Sequence, residues 1–420
     1  MYIDRLIESR LLEASSHIPA VAIIGARQVG KSTLLKHCFP DADMVVFDPV
    51  MDVENARRDP DLFLQSHRTP LILDEIQYAP EVTAAVKRAI DKDRRPGRFL
   101  ITGSQQWQVM NNLADSLSGR VAILELEGFT LAEMAGHSNS WLSEWLDSPD
   151  RPPRNRTPMQ RTLPEQLWRG FLPDAQILPD GLIGQFMEDY LRTYIGRDAR
   201  QTSNVEDWQL FGRFARLVFA LSAQELNRNH LGRELGIHSQ TASSWVSMLA
   251  ASCQWKEIPP WHGNASKRLT CKPKGYCCDS GLMSSALGIS SPRALLSNPY
   301  FGALFETAVA GEIRRQLSTA GVRLYHWRSH GGAEVDLIIE RDSMLYPVEI
   351  KAASRPNGHD ARGLAAFRGT YPKLTAPIGL IIAPAETAYA LSRDTWVVPW
   401  DASPESLGAE GKENRGRPSC

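Results

Sequence analysis

Gly25-Ala26-Arg27-Gln28-Val29-Gly30-Lys31-Ser32 sets two glycines, an amine and a hydroxyl at the spacing G-x-x-x-x-G-K-[ST]. That set of groups suits phosphate. Gly25 and Gly30 let the backbone approach phosphate oxygens with no side chain in the way. The loop's N–H groups form an anion-binding nest, helped by the N-terminus of the helix that follows. Lys31 is placed to reach the outer phosphates, and the Ser32 hydroxyl to ligate Mg²⁺. A glycine turn with a surface lysine meets the same pattern, so the flanks decide. Val21-Ala22-Ile23-Ile24 before it reads as a strand, and Leu34 and Leu35 after it as a helix. The positions expected to hold a nucleotide are Gly25, Gln28, Val29, Gly30, Lys31, Ser32 and Thr33.

A second apolar run, Leu71-Ile72-Leu73, ends in Asp74-Glu75, the Walker B pattern. A buried strand delivers Asp74 to the mouth of the first loop, where it holds Mg²⁺ through water while Glu75 polarises the attacking water. The plainer alternative is a strand ending in two solvated acids. A third run, Phe99-Leu100-Ile101, ends in Thr102-Gly103-Ser104. Thr102 and Ser104 are candidates to touch the γ-phosphate or the water; a simple turn is the alternative. Arg120 reads equally as an arginine finger or as a structural ion-pair former. Arg197-Asp198 faces either the nucleotide or a neighbouring subunit.

The C-terminal part carries a separate constellation: Glu306 on a helix pattern, Asp336 early in a strand, and Glu349-x-Lys351 at the end of the next. Strand period two sets Glu349 and Lys351 on one face, and antiparallel pairing through Asp342-Ser343 brings Asp336 beside them. Asp336 and Glu349 then form a site for a divalent metal that activates water, with Glu306 completing the shell. Lys351 is placed to stabilise charge on a scissile phosphate. An ordinary half-buried hairpin also alternates Glu and Lys, and a fold of this kind keeps its shape without catalysis.

These groups need scaffolds. Strands alternating with helices over the first third predict a parallel, doubly wound sheet. Residues 1–19 read as a lead-in helix with Leu6, Ile7, Leu11 and Leu12 on one face. Residues 137–180 include a Ser-, Pro- and Arg-rich stretch and read as a linker or insertion. Tyr190, Leu191, Tyr194 and Ile195 form an apolar helical stripe. The segment 224–250 suggests a helix-turn-helix: Leu231 and Leu235 on one helix, Gly236 at the turn, Ile237 in the corner, and Thr241, Trp245 and Leu249 on the second. His238, Ser239, Gln240 and Ser243 would face a groove, with Arg228 and Arg233 on phosphates. A packing module that binds no DNA is the equal alternative, since neutral helices hold phosphate weakly.

Composition sets outer bounds. The chain has 420 residues, too many for one ordinary domain, and 43% are hydrophobic. Lys+Arg 47 against Asp+Glu 48 gives net charge −1, so any basic surface is local. No run approaches the roughly 18–20 apolar residues of a membrane span. The N-terminus is amphipathic and acidic, unlike a signal peptide. The 6 cysteines form no C-x-x-C pair, which argues against zinc or a disulfide framework and for a cytoplasmic setting.

With these residues in place, the chain resembles a family of prokaryotic AAA-type ATPases that carry a C-terminal domain of unknown function with a restriction-endonuclease-like, PD-(D/E)xK fold. The resemblance rests on GARQVGKST, LILDEIQ, ITGS, SLSGR, YLRTYIGRDARQ, LGRELGIHSQT, KPKGYCCDSGL, FGALFE, YHWRSHGGAEVDLIIE and YPVEIKA. It implies ATP with Mg²⁺ at Gly30, Lys31, Ser32, Asp74 and Glu75, and a nuclease-like centre at Glu306, Asp336, Glu349 and Lys351. It also implies that Gln77 links the carboxylate strand to neighbouring elements. The expected fold class is α/β, in this order: a P-loop parallel-sheet ATPase domain (1–136), the linker (137–180), a helical lid and winged-helix-like region (181–290), a nuclease-like α/β domain (291–400) and a disordered tail (401–420). The expected function is ATP hydrolysis coupled to a DNA-directed module. The alternative is a regulatory ATPase switch with a protein partner and a silent nuclease fold. A homo-oligomer that completes its site with a neighbour's arginine fits either reading.

Overall fold

Five parallel strands form the front of the molecule: β1 (Ala20–Ile24), β2 (Asp43–Val46), β3 (Leu71–Asp74), β4 (Phe99–Gly103) and β5 (Val121–Glu125), in the order β2-β3-β4-β1-β5. The computed structural model describes residues 2–48, 54–103, 117, 119–194, 205, 207–264, 266, 268 and 271–404. β1, β3 and β4 are buried along their whole length, as unbroken apolar runs in a sheet covered on both faces must be. The order puts β4 between β1 and β3. Thr102 near its end therefore sits between the glycine loop and Asp74-Glu75. The lead-in helix Glu8–His17 buries Leu11 and Ala14 but leaves Leu12 46% exposed, so its apolar stripe is narrower than the sequence implies.

The stretch 137–180 is not a linker. Helix Trp141–Asp147 buries Trp141, Leu142, Trp145 and Leu146, and Trp145 meets Tyr346 edge-on at 5.4 Å. These side chains stand at helical spacing inside a Ser/Pro-rich frame, and composition averaged over the stretch hides them. β6 (Asn155–Arg156) pairs antiparallel with Ala402–Ser403 near the other end of the chain. Arg156 bonds Asp401 at 2.7 Å, and Asp401 is buried. Order therefore extends through 404, past the point where a disordered tail was expected; residues 405–420 lie outside the described residues.

Helix Asp180–Thr193 buries Ile183, Met187, Tyr190 and Leu191. Tyr194 just beyond it is buried too, whereas Ile195 lies outside the described residues. Helices Arg228–Leu235 and Ser239–Ala251 meet at Gly236, whose φ of 68° needs glycine. Against them packs a small antiparallel sheet of β7 (Gln224–Glu225), β8 (Trp255–Ile258) and β9 (Lys274–Cys277), in the order β7-β9-β8.

The last unit is a mixed sheet. Its strands are β10 (Arg323–Arg328), β11 (Glu334–Arg341), β12 (Met344–Ile350), β13 (Gly379–Ala383), β14 (Tyr389–Ser392) and β15 (Thr395–Pro399); β16 is the short Ala402–Ser403. Their order is β10-β11-β12-β13-β15-β14, antiparallel through β12 and parallel from β12 to β15. Asp342 and Ser343, both at positive φ, turn β11 into β12. Helix Phe301–Gln316 packs on β12 and on β9 of the small sheet. One apolar core runs through all three units, with Leu126, Phe171, Trp245, Tyr276, Leu304 and Val348 among its members. Among the described residues no helix is long and apolar enough to cross a membrane.

Candidate functional site

The glycine loop ends β1 and delivers Lys31 and Ser32 at the start of helix Lys31–Cys38. Gln28 (φ 59°) and Gly30 (φ 93°) are left-handed, which folds the loop back on itself. The reason for Gly25 differs from the one the motif suggests. A Cβ there would lie 2.0 Å from the Leu126 carbonyl oxygen, so the close neighbour is the end of β5. Lys31 is buried, and its ammonium donates to the carbonyls of Gly25 (3.1 Å) and Ala26 (2.8 Å). It forms no ion pair among the described residues. Burial pulls its pKa down, against the pull of Glu75 and Asp74. Val29 is buried against Gly25, and Thr33 is exposed at the next position of the helix.

The carboxylate strand arrives beside this loop. Ser32 Oγ donates to both Asp74 oxygens, at 2.7 and 2.9 Å. A hydroxyl and a carboxylate so placed are the donor set that Mg²⁺ takes, so the residues present fit an ATP·Mg²⁺ site. Thr102 is fully buried, and its hydroxyl is committed within the protein: it donates to Asp74 Oδ1 (2.5 Å) and accepts the Glu75 N–H (3.0 Å). Thr102 thus positions the two acids, which replaces the expected contact with phosphate. Glu75 adopts φ 58°, a left-handed conformation uncommon outside glycine, and the Thr102 bond fixes its amide there. The Gln77 amide donates to the Glu75 carboxylate. Ser104 and Arg197 lie outside the described residues.

Other residues of the mouth carry no motif. A cavity of about 270 Å³ opens between Arg27, Gln28 and Glu75 on one side and Phe186, Asp189, Tyr190, Thr193, Tyr194 and Gln254 on the other. The Tyr190 hydroxyl donates to the Arg27 carbonyl (3.2 Å) and accepts from Gln254 (3.1 Å), tying helix Asp180–Thr193 to the loop. Arg5 clamps the loop from behind, donating to the Val29 (2.9 Å) and Glu127 (2.8 Å) carbonyls. Arg120, in contrast, bonds Asp91 at 2.7 Å, and its carbonyl accepts the N–H of Ala20, the first residue of β1. It stands at the N-terminal end of the strands, opposite the end that carries the glycine loop, which removes it as a finger for this chain's own site.

The C-terminal candidates converge. β11 and β12 pair with Leu337 opposite Val348, which sets Asp336 opposite Glu349. Asp336 Oδ2 accepts the Ile350 N–H (2.9 Å), and the Lys351 ammonium bonds Glu349 Oε1 (2.5 Å). Glu349 Oε2 is buried without a hydrogen-bond partner among the described residues. An orphaned carboxylate oxygen beside a second buried carboxylate is what a cation ligand looks like without its ion, so the donor set fits a divalent metal.

An unforeseen residue stands between the acids. Lys274, from β9 of the small sheet, reaches Glu306 Oε1 at 2.5 Å and Asp336 Oδ1 at 2.8 Å. The Tyr276 hydroxyl donates to the same Glu306 oxygen (2.8 Å). Burial opposes the Lys274 charge, but Asp336 and Glu306 outweigh it and hold the ammonium above its ordinary pKa. Burial, then the neighbouring Asp336, pushes Glu306 up to about 7 and Glu349 up to about 8. Among the described residues, the one trio that brings three metal-ligand atoms within 4.8 Å of one another is Asp4, Glu8 and His37. Glu306, Asp336 and Glu349 are therefore gathered but not closed on a common point. The centre opens to solvent through a cavity of about 360 Å³ lined by Glu225, Lys274, His326, Arg328, Glu334 and Asp336, among others.

Helices Arg228–Leu235 and Ser239–Ala251 bury Leu231, Trp245 and Leu249. His238, Ser239 and Gln240 are exposed, Ser243 partly so. Helix Ser239–Ala251 carries no charged residue, and Arg228 is paired with Glu257 at 3.1 Å. Arg233 is exposed.

Family models match three segments: an AAA domain at residues 17–135, a domain of unknown function (DUF8612) at 160–293 and another (DUF4143) at 301–402. Uncharacterized proteins of Mycobacterium tuberculosis and Mycobacterium bovis are 28% identical over 94% of this chain and 82% of their own. Among solved structures, a Walker-type ATPase of Pyrococcus abyssi aligns at 16% identity over 68% of this chain and 96% of its own, TM-score 0.43. The RuvB Holliday junction branch migration motor of Thermotoga maritima aligns at 17% identity over 64% and 95%, TM-score 0.30.

Proposed function

We propose that this chain binds ATP with Mg²⁺ and hydrolyses it, and that the cycle acts on a restriction-endonuclease-like C-terminal module directed to DNA. The carrying observation is the convergence of Lys31, Ser32, Asp74 and Glu75 at the C-terminal end of the parallel strands, with Ser32 and Asp74 already in contact. In this reading Lys31 meets the outer phosphates, the glycine loop orients them, and Glu75, fixed by Thr102 and Gln77, takes the proton of the attacking water. Bound Mg²⁺ supplies charge neutralisation at the phosphates through Ser32 and Asp74. At the other site Asp336 and Glu349 would hold the metal and Lys351 would face the scissile phosphate. A second copy of the chain fits the reading as the source of a finger arginine. The test is phosphate release by the purified chain: Glu75→Gln should retain ATP binding and lower turnover about 10²–10⁴-fold. Wild type without turnover would sink the proposal.

A second reading is favoured by two observations. The helix that would enter a groove is uncharged, and Lys274 stands inside the acidic centre. In that reading the chain is a regulatory ATPase with a protein partner and a silent nuclease fold. Plasmid nicking with Mg²⁺ or Mn²⁺ separates the two, with Lys351→Ala as control. Equal nicking by wild type and Lys351→Ala counts against cleavage at this centre.

A further inference from the structure

Lys274 is the feature that neither the motifs nor the proposed chemistry explain. β9 alternates Lys274, Gly275 and Tyr276, so period two sets the lysine and the tyrosine on one face, toward the acids. Gly275 faces the other way, where a Cβ would lie 2.0 Å from the Trp255 ring. The strand is thus pinned from behind by Trp255 and in front by Glu306. The Lys274 side chain bridges the buried Asp336 and the partly buried Glu306, carboxylates from two different elements, which is the role a multivalent cation plays in such a cluster. The remaining acid, the buried Glu349, keeps an oxygen without a partner among the described residues.

We propose that Lys274 stands where a divalent cation would bind in the acidic centre, and that the centre admits metal only when the paired strands β8 and β9 move away. These strands are well placed to receive a signal. Gln254, the residue before β8, lines the nucleotide cavity and bonds Tyr190 of helix Asp180–Thr193. Lys256 on β8 forms a partly buried ion pair with Glu125 at the end of β5. Lys256 lies opposite Tyr276, and Ile258 opposite Lys274. The paired strands β8 and β9 therefore touch the nucleotide mouth, the edge of the parallel sheet and the acidic centre. A shift of that helix or of β5 with nucleotide state would be carried to Lys274 as a rigid-body displacement.

This inference rests on the reading of Glu306, Asp336 and Glu349 as a metal centre, and the test separates the two. Mn²⁺ binding to the full chain is followed by electron paramagnetic resonance, without nucleotide. The wild type should show no Mn²⁺ at this centre. Lys274→Ala should gain an additional Mn²⁺ per chain, lost again in Lys274→Ala/Asp336→Asn. Lys274→Gln keeps the stem and a donor and should give the same gain if the alanine variant melts early. Lys274→Arg, which retains a cation, should stay metal-free. Wild type that already binds Mn²⁺ through Asp336 overturns the occlusion and leaves the metal-centre reading standing. Folded Lys274→Ala and Lys274→Gln that both bind no new Mn²⁺ overturn both.

Discussion

Lys31, buried, and Lys274, partly buried, are both lysines in candidate sites, yet their surroundings are opposite. The ammonium of Lys31 rests on two backbone carbonyls, and burial lowers its pKa. The ammonium of Lys274 lies between two carboxylates that outweigh burial and raise its own. Carbonyls solvate a cation without neutralising it, so Lys31 retains its attraction for an incoming anion. Lys274 already has its counter-charges. A buried lysine held by dipoles marks a place for an anionic ligand; a lysine held by acids marks a place already filled.

The largest expected effect follows from the front site. Lys31→Ala should lower kcat for ATP hydrolysis about 10²–10³-fold, by analogy with removing one preorganised electrostatic donor. Its effect on stability should be small, roughly 1 kcal/mol or less, because only two neutral acceptors lose a partner. Lys274→Met should do the reverse. It strands Glu306 and Asp336 and should cost roughly 3 kcal/mol in urea unfolding, with ATP turnover largely kept. If Lys31→Ala proves as destabilising as Lys274→Met, the contrast between the two lysines is broken.

The contrast also depends on the two ends being joined. Arg314 of helix Phe301–Gln316 grips Glu127 beyond β5, at 2.5 and 2.8 Å. Burial works against the Glu127 charge, but Arg314 outweighs it and holds the carboxyl at about 2, below its ordinary 4.5. The sign follows from linkage. This carboxylate contributes its full stability above its unfolded pKa and loses it as pH falls toward the folded value. Glu127→Gln should therefore cost roughly 2–3 kcal/mol near pH 7. The gap to wild type should narrow on titration from pH 5 toward pH 2. A gap constant with pH would show that the pair does not join the units as described.

How much of this was legible in the sequence depends on how local each signal is. The glycine loop, Asp74-Glu75 and the hairpin from Asp336 to Lys351 are short-range patterns, in which register within one or two strands brings the groups together. The parallel sheet followed from its apolar runs, and the turn at Gly236 from one glycine. Lys274 was not legible, since nothing in KPKGY says that its strand faces Glu306 and Asp336 from another unit. Arg5, Tyr190 and Gln254 escaped for the same reason: their partners lie far off in sequence. Arg120 failed differently. Its type suits a finger, but parallel topology puts it at the wrong end of β1. Within 137–180, read as a linker or insertion, Pro and Ser content concealed four buried side chains.

Thr102 gives the smallest effect and the finest test of the front site. Its hydroxyl joins Asp74 to the Glu75 amide, so Thr102→Val removes two hydrogen bonds while keeping shape. Asp74 keeps Ser32 as a donor, but the Glu75 N–H loses its acceptor in a backbone held at φ 58°. The expected cost is about 1–2 kcal/mol of stability. Turnover should fall about tenfold through misplacement of Glu75, with KM for ATP nearly unchanged. A contact between Thr102 and the γ-phosphate would instead move KM and kcat together. Steady-state kinetics on Thr102→Val and Thr102→Ser distinguishes the two. Recovery of kcat in the serine variant, which keeps the hydroxyl, marks Thr102 as the residue that positions the acids. A raised KM in both variants would put the phosphate contact back.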